Sequence, residues 1–470
     1  MAITSNYVPA PAPVKQTLAS AYIDFTGGSN DWAQQYLPDL MEQEAEVFGD
    51  RTISGFLSMV GAEESMTADQ VVWSEQGRLH LSYGATMDSA TTFSVDTDAD
   101  GQAVATDVYS TGDHGVRTGD MVIIANATNT YTAYVSAVAA NGTCTVAGYA
   151  GASLPSSGAV KVLVFGSEYA KGQTGRAGAN TPGFKSFTNK PIIIKDKYEI
   201  SGSDSSQIGW VEVSGEEGQN GYLWYLKAEG DTRARFTDHL EMAMVEAQES
   251  SAGITSLNGE TIKGTQGLFA ALEARGNEST GITGVNAATD LAEFDAILAE
   301  FDKNGSIEEN MMFLNRSTSL AIDDMLASMN SYGAGGTSYG VFNNDADMAL
   351  NLGFSGFRRG SYDFYKSDWK YLNDASTRGI INDINTVGAI RGVIVPAGVS
   401  SVYDEQLGRN LKRPFLHVRY RASQTDDRRL KTWVTGSVGA VTSDLDAMEV
   451  NYLSERCLVV QGANNFMLLN

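Results

Sequence analysis

The chain has 470 residues, 42% of them hydrophobic, which is enough for roughly two to four structural units with their own cores. A formal net charge of −24 excludes attraction of duplex nucleic acid by the overall field, because phosphate contacts need Lys and Arg. Only 19% of residues are charged and 49 are Gly, a balance of turns and strand edges rather than of a helical bundle.

In chain order, residues 1–37 read as an arm. Val8 to Pro13 alternates Pro and favours an extended polyproline conformation, and Gly27-Gly28 interrupts the next stretch. The arm lacks the charged and apolar regions of a secretory signal. Such an arm is either a disordered tail or a strap across a neighbouring subunit. Residues 38–60 carry a partial helical stripe, Leu40, Met41, Ala45 and Phe48, broken near Gly49. Residues 70–95 turn strand-like. Residues 90–166 are rich in Thr, Ser, Ala, Gly and Val, and predict a β-barrel or sandwich module of about five strands. Within it, Asn141-Gly142 predicts a tight hairpin, since a type I′ turn needs positive φ. Tyr169 to Ser186 is a Gly-rich polar loop, and strands resume at Pro191–Ile194 and Tyr198–Ile200.

A long helix then starts near Gly221. Tyr222, Tyr225, Leu226, Phe236, Leu240, Ala243, Met244 and Ala247 share one face, while Asp231, Arg235, Asp238 and Glu241 supply charge elsewhere. Some 30 residues of helix would span ~45 Å. Shorter helices follow at Leu268–Arg275, at Leu291–Phe301 and at Leu320–Met329, with a strand at Met311–Leu314 and a flexible loop at Gly333–Gly336. The last part is strand-rich, at 392–396, 415–421, 431–435 and 457–460.

Chemical motifs are sparse. Asp96, Asp98, Asp100, Gly101 and Asp107 follow the order of a calcium loop, with Asp where the pattern has Glu. The flanking Thr92–Val95 reads as strand, so the reading is an acidic surface turn, and these four Asp are the candidate ligands should a cation bind. The four histidines have no metal-ligand spacing, and no phosphate-binding glycine motif occurs. Gly336-Thr337-Ser338-Tyr339-Gly340 matches G-x-S-x-G but follows a helix and a loop instead of a strand, so Ser338 reads as a chance match. Cys144 and Cys457 form no CxxC pair and read as buried free thiols in a reducing compartment. No enzyme and no cofactor are expected. Between Arg409 and Lys431 the charge reverses locally, with Arg409, Lys412, Arg413, Arg419, Arg421, Arg428, Arg429 and Lys431. Three readings stand: a solvated strand face, pairing with an acidic neighbouring copy, or contact with enclosed nucleic acid.

The order of pieces resembles the major capsid proteins of tailed bacteriophages, with the Hong Kong 97 (Johnson) fold. The C-terminal RRLKTWVTGSVGAVTSDLDAMEVNYLSERCLVVQGANNFMLLN is similar to capsid proteins of crAss-like podoviruses. The resemblance implies an α+β fold. Its parts would be an N-terminal arm (1–37), a helical part of the P-domain (38–67) and an E-loop (68–200) carrying an inserted all-β module (about 90–166). The spine helix and P-domain (201–284), the A-domain (285–390) and C-terminal P-domain strands (391–470) would follow. It implies self-assembly as hexamers and pentamers into an icosahedral shell around double-stranded DNA, in a virion built in a bacterial cytoplasm. Implied partners are the portal, auxiliary capsid proteins and a separate scaffolding protein; no membrane and no sequence-specific DNA contact are implied. Lys171, Arg176, Phe184, Lys185, Arg413, Arg419, Arg421, Arg428 and Arg429 are the candidate intersubunit contacts. A tail or decoration protein is the alternative, and a secreted β-rich surface protein a more distant one.

Overall fold

The computed structural model describes residues 55–57, 62–76, 80–99, 101, 104, 114–151, 153–176, 184–205, 213–214, 220–221, 224–256, 258–280, 287–330, 356–383, 389–397, 399–404, 409–438 and 441–470. The arm at 1–37, the stripe at 40–48, the 333–336 loop and the Ser338 motif lie outside them. The chain divides into two compact units, one of residues 1–71 with 188–470, the other of residues 72–187. The first described strand, β1 (Ala62–Met66), belongs to the former.

The 72–187 unit is a closed barrel of β3 (Ser82–Ser89), β4 (Thr92–Asp98), β5 (Asp120–Ala125), β6 (Thr130–Val138), β7 (Cys144–Gly148) and β8 (Gly158–Ser167). Neighbours run β3-β4-β7-β6-β5-β8 around it. Strand alternation explains its core. Along β5 every second residue, Asp120, Val122 and Ile124, is buried, and the intervening ones are half-exposed. Tyr83, Met87, Phe93, Val135, Val146 and Val162 complete a filled interior, as a barrel this small requires. The turn into β7 falls at the predicted Asn141-Gly142 but is a three-residue loop instead of a type I′ turn: the Gly142 N–H bonds to the Ala139 carbonyl at 2.9 Å, which puts Ala140 and Asn141 at its centre, and Gly142 ends it with φ 83°. The module is wider than the five strands read from 90–166, because β3 at Ser82–Ser89 closes it between β4 and β8. Beside the barrel, β2 (Val71–Gln76) pairs with β9 (Phe184–Asn189), with Trp73 and Phe187 ring centroids 6.1 Å apart.

The larger unit resumes with β10 (Ile192–Ser201) and a single turn, α1 (Gly202–Ser205). After the short hairpin β11 (Val213–Ser214) and β12 (Asn220–Gly221) comes α2 (Trp224–Glu246). Its 23 residues fall short of the ~30 expected. The last helical bond, Ala247 N–H to Ala243 O, is followed by the small hairpin β13 (Ile254–Thr255) and β14 (Thr261–Ile262). Gly267 then donates back to Ala247 O at 2.8 Å and ends the exit loop at the start of α3 (Leu268–Arg275). A side chain at Gly267 would press on that backbone, with Ala247 N and O 2.8 Å from its Cβ. The remaining elements are β15 (Asn277–Ser279), α4 (Ala287–Asn304), β16 (Glu309–Leu314), α5 (Arg316–Asn330), β17 (Gly356–Arg359), β18 (Tyr362–Asp368), α6 (Lys370–Asn373) and α7 (Gly379–Asp383). The chain closes with β19 (Gly392–Pro396), β20 (Val399–Asp404), β21 (Arg409–Pro414), β22 (Leu416–Arg421), β23 (Lys431–Gly436), β24 (Ala447–Val460) and β25 (Met467–Leu469).

These strands make two principal sheets. One runs β15-β25-β19-β16-β18-β17 and lies between two cores. Met311, Phe313, Val393, Val395 and Leu468 point into a core with α3, Trp369 and Phe466. Met312, Leu314, Ile394, Met467 and Leu469 point the other way, against Phe294, Ile297 and Phe301 of α4 and Ile322 of α5. The two-residue period of a strand splits one apolar run between both faces, which is why β19 is buried throughout. The other sheet runs β1-β22-β24-β10, with β23 also paired to β24. Phe236 and Leu240 of α2 pack on its Val450 and Tyr452.

Candidate assembly interface

From Arg419 to Lys431 the basic segment lies on the second sheet, and its charges meet carboxylates of the same chain, whereas Arg409, Lys412 and Arg413 lie on β21, which pairs with β20. β1 runs parallel to β22, with Glu64 in register with Arg419, and their side chains pair at 2.7 Å. Glu63, one residue earlier, meets Arg429 and lies 3.8 Å from Arg456. Glu455 of β24 bridges two cations, Arg421 Nε at 3.0 Å and Arg428 Nε at 2.9 Å. Arg421 also meets Asp69, and Lys431 meets Asp426 at 2.6 Å. The loop between β22 and β23 is sewn down as well: Ser454 Oγ donates to Arg429 O at 2.6 Å and Arg456 donates to the same oxygen at 2.9 Å. Burial pulls the Arg456 guanidinium below the usual arginine range, opposed by the Glu63 charge. The local charge reversal is therefore balanced largely inside the fold. Most of the anions come from far upstream, and Asp69 precedes its partner Arg421 by 352 residues. Arg413 sits on β21 opposite Ser400, away from these pairs in register.

The candidates of the barrel unit are differently placed. Arg176 donates to Asp120 at 2.8 Å and to Gly115 O at 3.0 Å, so it pins the segment after β8 to the buried start of β5. Burial raises the Asp120 carboxyl above its usual value, against a hydrogen bond from the Arg117 backbone. Lys171 is exposed, and Lys185 Nζ lies 5.6 Å from the Phe187 ring centroid, with Phe184 preceding it on β9. Asp96 and Asp98 lie on β4, where Asp96 accepts from Thr86 Oγ1 at 2.6 Å; Asp100 and Asp107 fall outside the described residues. Among the described residues no three His, Cys, Asp or Glu gather as metal ligands would.

Chains in several solved phage structures are similar to this one. A chain from Mycobacterium phage Ogopogo is 10% identical with a TM-score of 0.44, covering 94% of this chain and 99% of its own. A chain of the mature capsid of bacteriophage PhiM1 is 10% identical with a TM-score of 0.42, covering 98% of both. A chain of the capsid of cyanophage P-SCSP1u is 8% identical with a TM-score of 0.41, covering 97% of this chain and 98% of its own. No protein-family profile matches the chain, and no curated protein matches it in sequence.

Two anchoring residues are not evident from sequence. Glu241, read as a charge away from the apolar face of α2, accepts the backbone N–H groups of Gly55 and Phe56 at 2.7 Å each and of Leu57 at 3.4 Å. Burial raises its carboxyl above the usual value. Asn189 is buried at the start of the return into the larger unit. Its Nδ2 donates to Gln266 O and Leu458 O, and its Oδ1 accepts from Lys190 N, Gln266 N and Thr265 Oγ1. Only a side-chain amide offers donors and an acceptor in that arrangement. An isolated Asn before a strand carries no local signal of such a role.

Proposed function

We propose that this chain is the major capsid protein of a tailed phage, assembling as hexamers and pentamers into an icosahedral shell around double-stranded DNA. The observation that carries the reading is the path of the chain. It leaves the larger unit at Val71 for a barrel, returns at Thr188, and runs through β10 toward the 23-residue helix α2. That is the order of E-loop and spine helix in the family which the sequence resembles. The 285–390 tract would be the A-domain, and the sheet of β1, β22, β24 and β10 part of the P-domain. In this reading the chain is structural, not catalytic. Its partners are other copies, a portal, auxiliary proteins and a scaffolding protein, and it resides in virions assembled in the bacterial cytoplasm. Lys171, Arg176, Phe184, Lys185 and Arg413 remain contact candidates between copies. A net charge of −24 would leave packaged DNA free to slide.

The test is expression in bacteria, with and without scaffolding protein, followed by electron microscopy. Closed shells or hexameric and pentameric rings are the expected result. A chain that stays monomeric under every condition overturns the proposal.

A further inference from the structure

The segment that leaves β8 folds back over the end of the barrel where β5 begins, and one buried carboxylate holds it there. Asp120 is fully buried. Its Oδ2 accepts from the Arg117 N–H and from Arg176 Nη2, both at 2.8 Å, while its Oδ1 is buried and takes no hydrogen bond. Half of the carboxylate is thus left unserved in a low-dielectric interior, where an ionised group is costly. The Arg117 guanidinium turns to the His114 and Val116 carbonyls, so the ion pair to Asp120 comes from Arg176.

Tyr169 to Arg176 is attached to the barrel at its two ends. At the first, the Tyr169 ring lies so close over Gly119 that a Cβ there would stand 2.7 Å from it, and the hydroxyl is 3.4 Å from Thr118 O. At the second, Arg176 reaches Asp120 and Gly115 O. The residues between are exposed, and Ala170 and Gln173 bond to each other in a turn of their own. An exposed stretch is therefore tied down by a charge-assisted bond from a side chain 32% exposed to a group inside the core.

Ionisation of Asp120 sets the strength of that tie. Burial raises its carboxyl above the usual range, while the Arg117 N–H and then the Arg176 charge pull the other way. With the segment lifted, Asp120 lacks the Arg176 charge and holds its proton more tightly, so falling pH favours the lifted form. Other titratable groups surround the site. Cys144 of β7 feels the Asp120 charge, and His114 Nε2 lies 3.7 Å from the Cys144 Sγ and 2.6 Å from Gly142 O. The Tyr83 hydroxyl of β3 accepts the Gly115 N–H, and Glu168, next to Tyr169, accepts from the Tyr149 hydroxyl.

We propose that Tyr169 to Arg176 is a strap that closes over the end of the barrel while Asp120 is ionised and lifts when Asp120 is protonated. Lifting turns the Arg176 guanidinium out to water and uncovers the backbone from Gly115 to Gly119. The device lies within the barrel unit and works whether or not the chain assembles.

Spin labelling of the full chain tests the strap, because both native cysteines are buried and a nitroxide can be directed to one introduced thiol. On Thr174→Cys, in the exposed part of the strap, the ratio of mobile to immobile signal should rise about tenfold between about pH 7.5 and about pH 5. A label on Thr132→Cys, exposed on β6, should keep one spectrum throughout and so report an intact barrel. Adding Arg176→Gln should leave the strap label mobile at both pH values. Adding Asp120→Asn, neutral at every pH, should abolish the pH response. If that buried substitution disturbs the Thr132 label, Arg176→Gln at its half-exposed site decides alone. A strap label whose mobility ignores pH, or Arg176→Gln as immobile as the parent at neutral pH, overturns the proposal. A pH response that survives in Asp120→Asn also overturns it and moves the sensor to His114.

Discussion

Glu241 and Phe56, 185 residues apart, are joined by a 2.7 Å hydrogen bond from the Phe56 backbone N–H to the carboxylate. The second carboxylate oxygen takes the Gly55 N–H at the same distance, so one side chain of α2 holds a whole turn of chain. Phe56 in turn stacks on Trp369, ring centroids 4.4 Å apart, and places that turn in the main core.

Replacing Glu241 with Gln keeps the size but offers one acceptor oxygen and turns an amide N–H toward backbone donors. Destabilisation of about 1–3 kcal/mol is expected in urea unfolding at neutral pH. The pH dependence has a definite sign. Burial raises the folded-state value above the unfolded one, so the folded chain binds the proton more tightly. The stability from that proton is full below the unfolded value near 4.5 and is lost as pH rises through the raised folded value. The parent's advantage over Glu241→Gln should therefore shrink with rising pH across that window. An advantage that grows instead would refute the assignment.

Gly230 lies inside α2, where an alanine Cβ would meet nothing within 4 Å, and its φ is not positive. Gly230→Ala should stabilise the chain by about 0.4–1 kcal/mol, through helix propensity and a less free unfolded chain. Gly436→Ala is the contrast. Gly436 has φ 122°, and a Cβ there would overlap the Ala447 carbonyl, so thermal unfolding should move down.

Asn189→Ala removes five hydrogen bonds and leaves the Gln266 and Leu458 carbonyls without this donor. A loss on the order of 3 kcal/mol is expected. Asn189→Asp should be worse at neutral pH than in acid, since an ionised carboxylate would face both carbonyl oxygens. Equal stability of the two variants across pH would show that the amide donors are unimportant.

Local pattern made some of this fold readable. The stripe Leu291, Phe294, Ile297, Leu298 and Phe301 is the packed face of α4, and a hairpin turn falls at Asn141-Gly142, with the glycine at positive φ though not in the two-residue form its sequence suggests. What the pattern lacks is the identity of distant partners. Glu241 looks like any helix carboxylate until residues 55–57 arrive beside it. The basic segment looks unpaired because Glu63, Glu64 and Asp69 lie hundreds of positions upstream and join it only through the β1–β22 pairing. The division of β16 and β19 between two cores is likewise invisible in a short apolar run, which fits a helix segment as well as a strand.

Cys144 and Cys457 are both fully buried, and burial pushes each thiol up to about 12. In Cys144 the Asp120 charge adds to that effect, and Arg117 opposes it. Thiolate is the reacting form, so neither group should be alkylated at about pH 8 in the folded chain, and both should react at once in denaturant. The rate of labelling then reports opening of each unit by itself, because Cys144 belongs to the barrel core and Cys457 lies on β24. Val146→Ala, a cavity in the barrel core, should speed labelling of Cys144 and leave Cys457 unchanged if the two units open independently. Equal acceleration at both cysteines would show that they unfold as one.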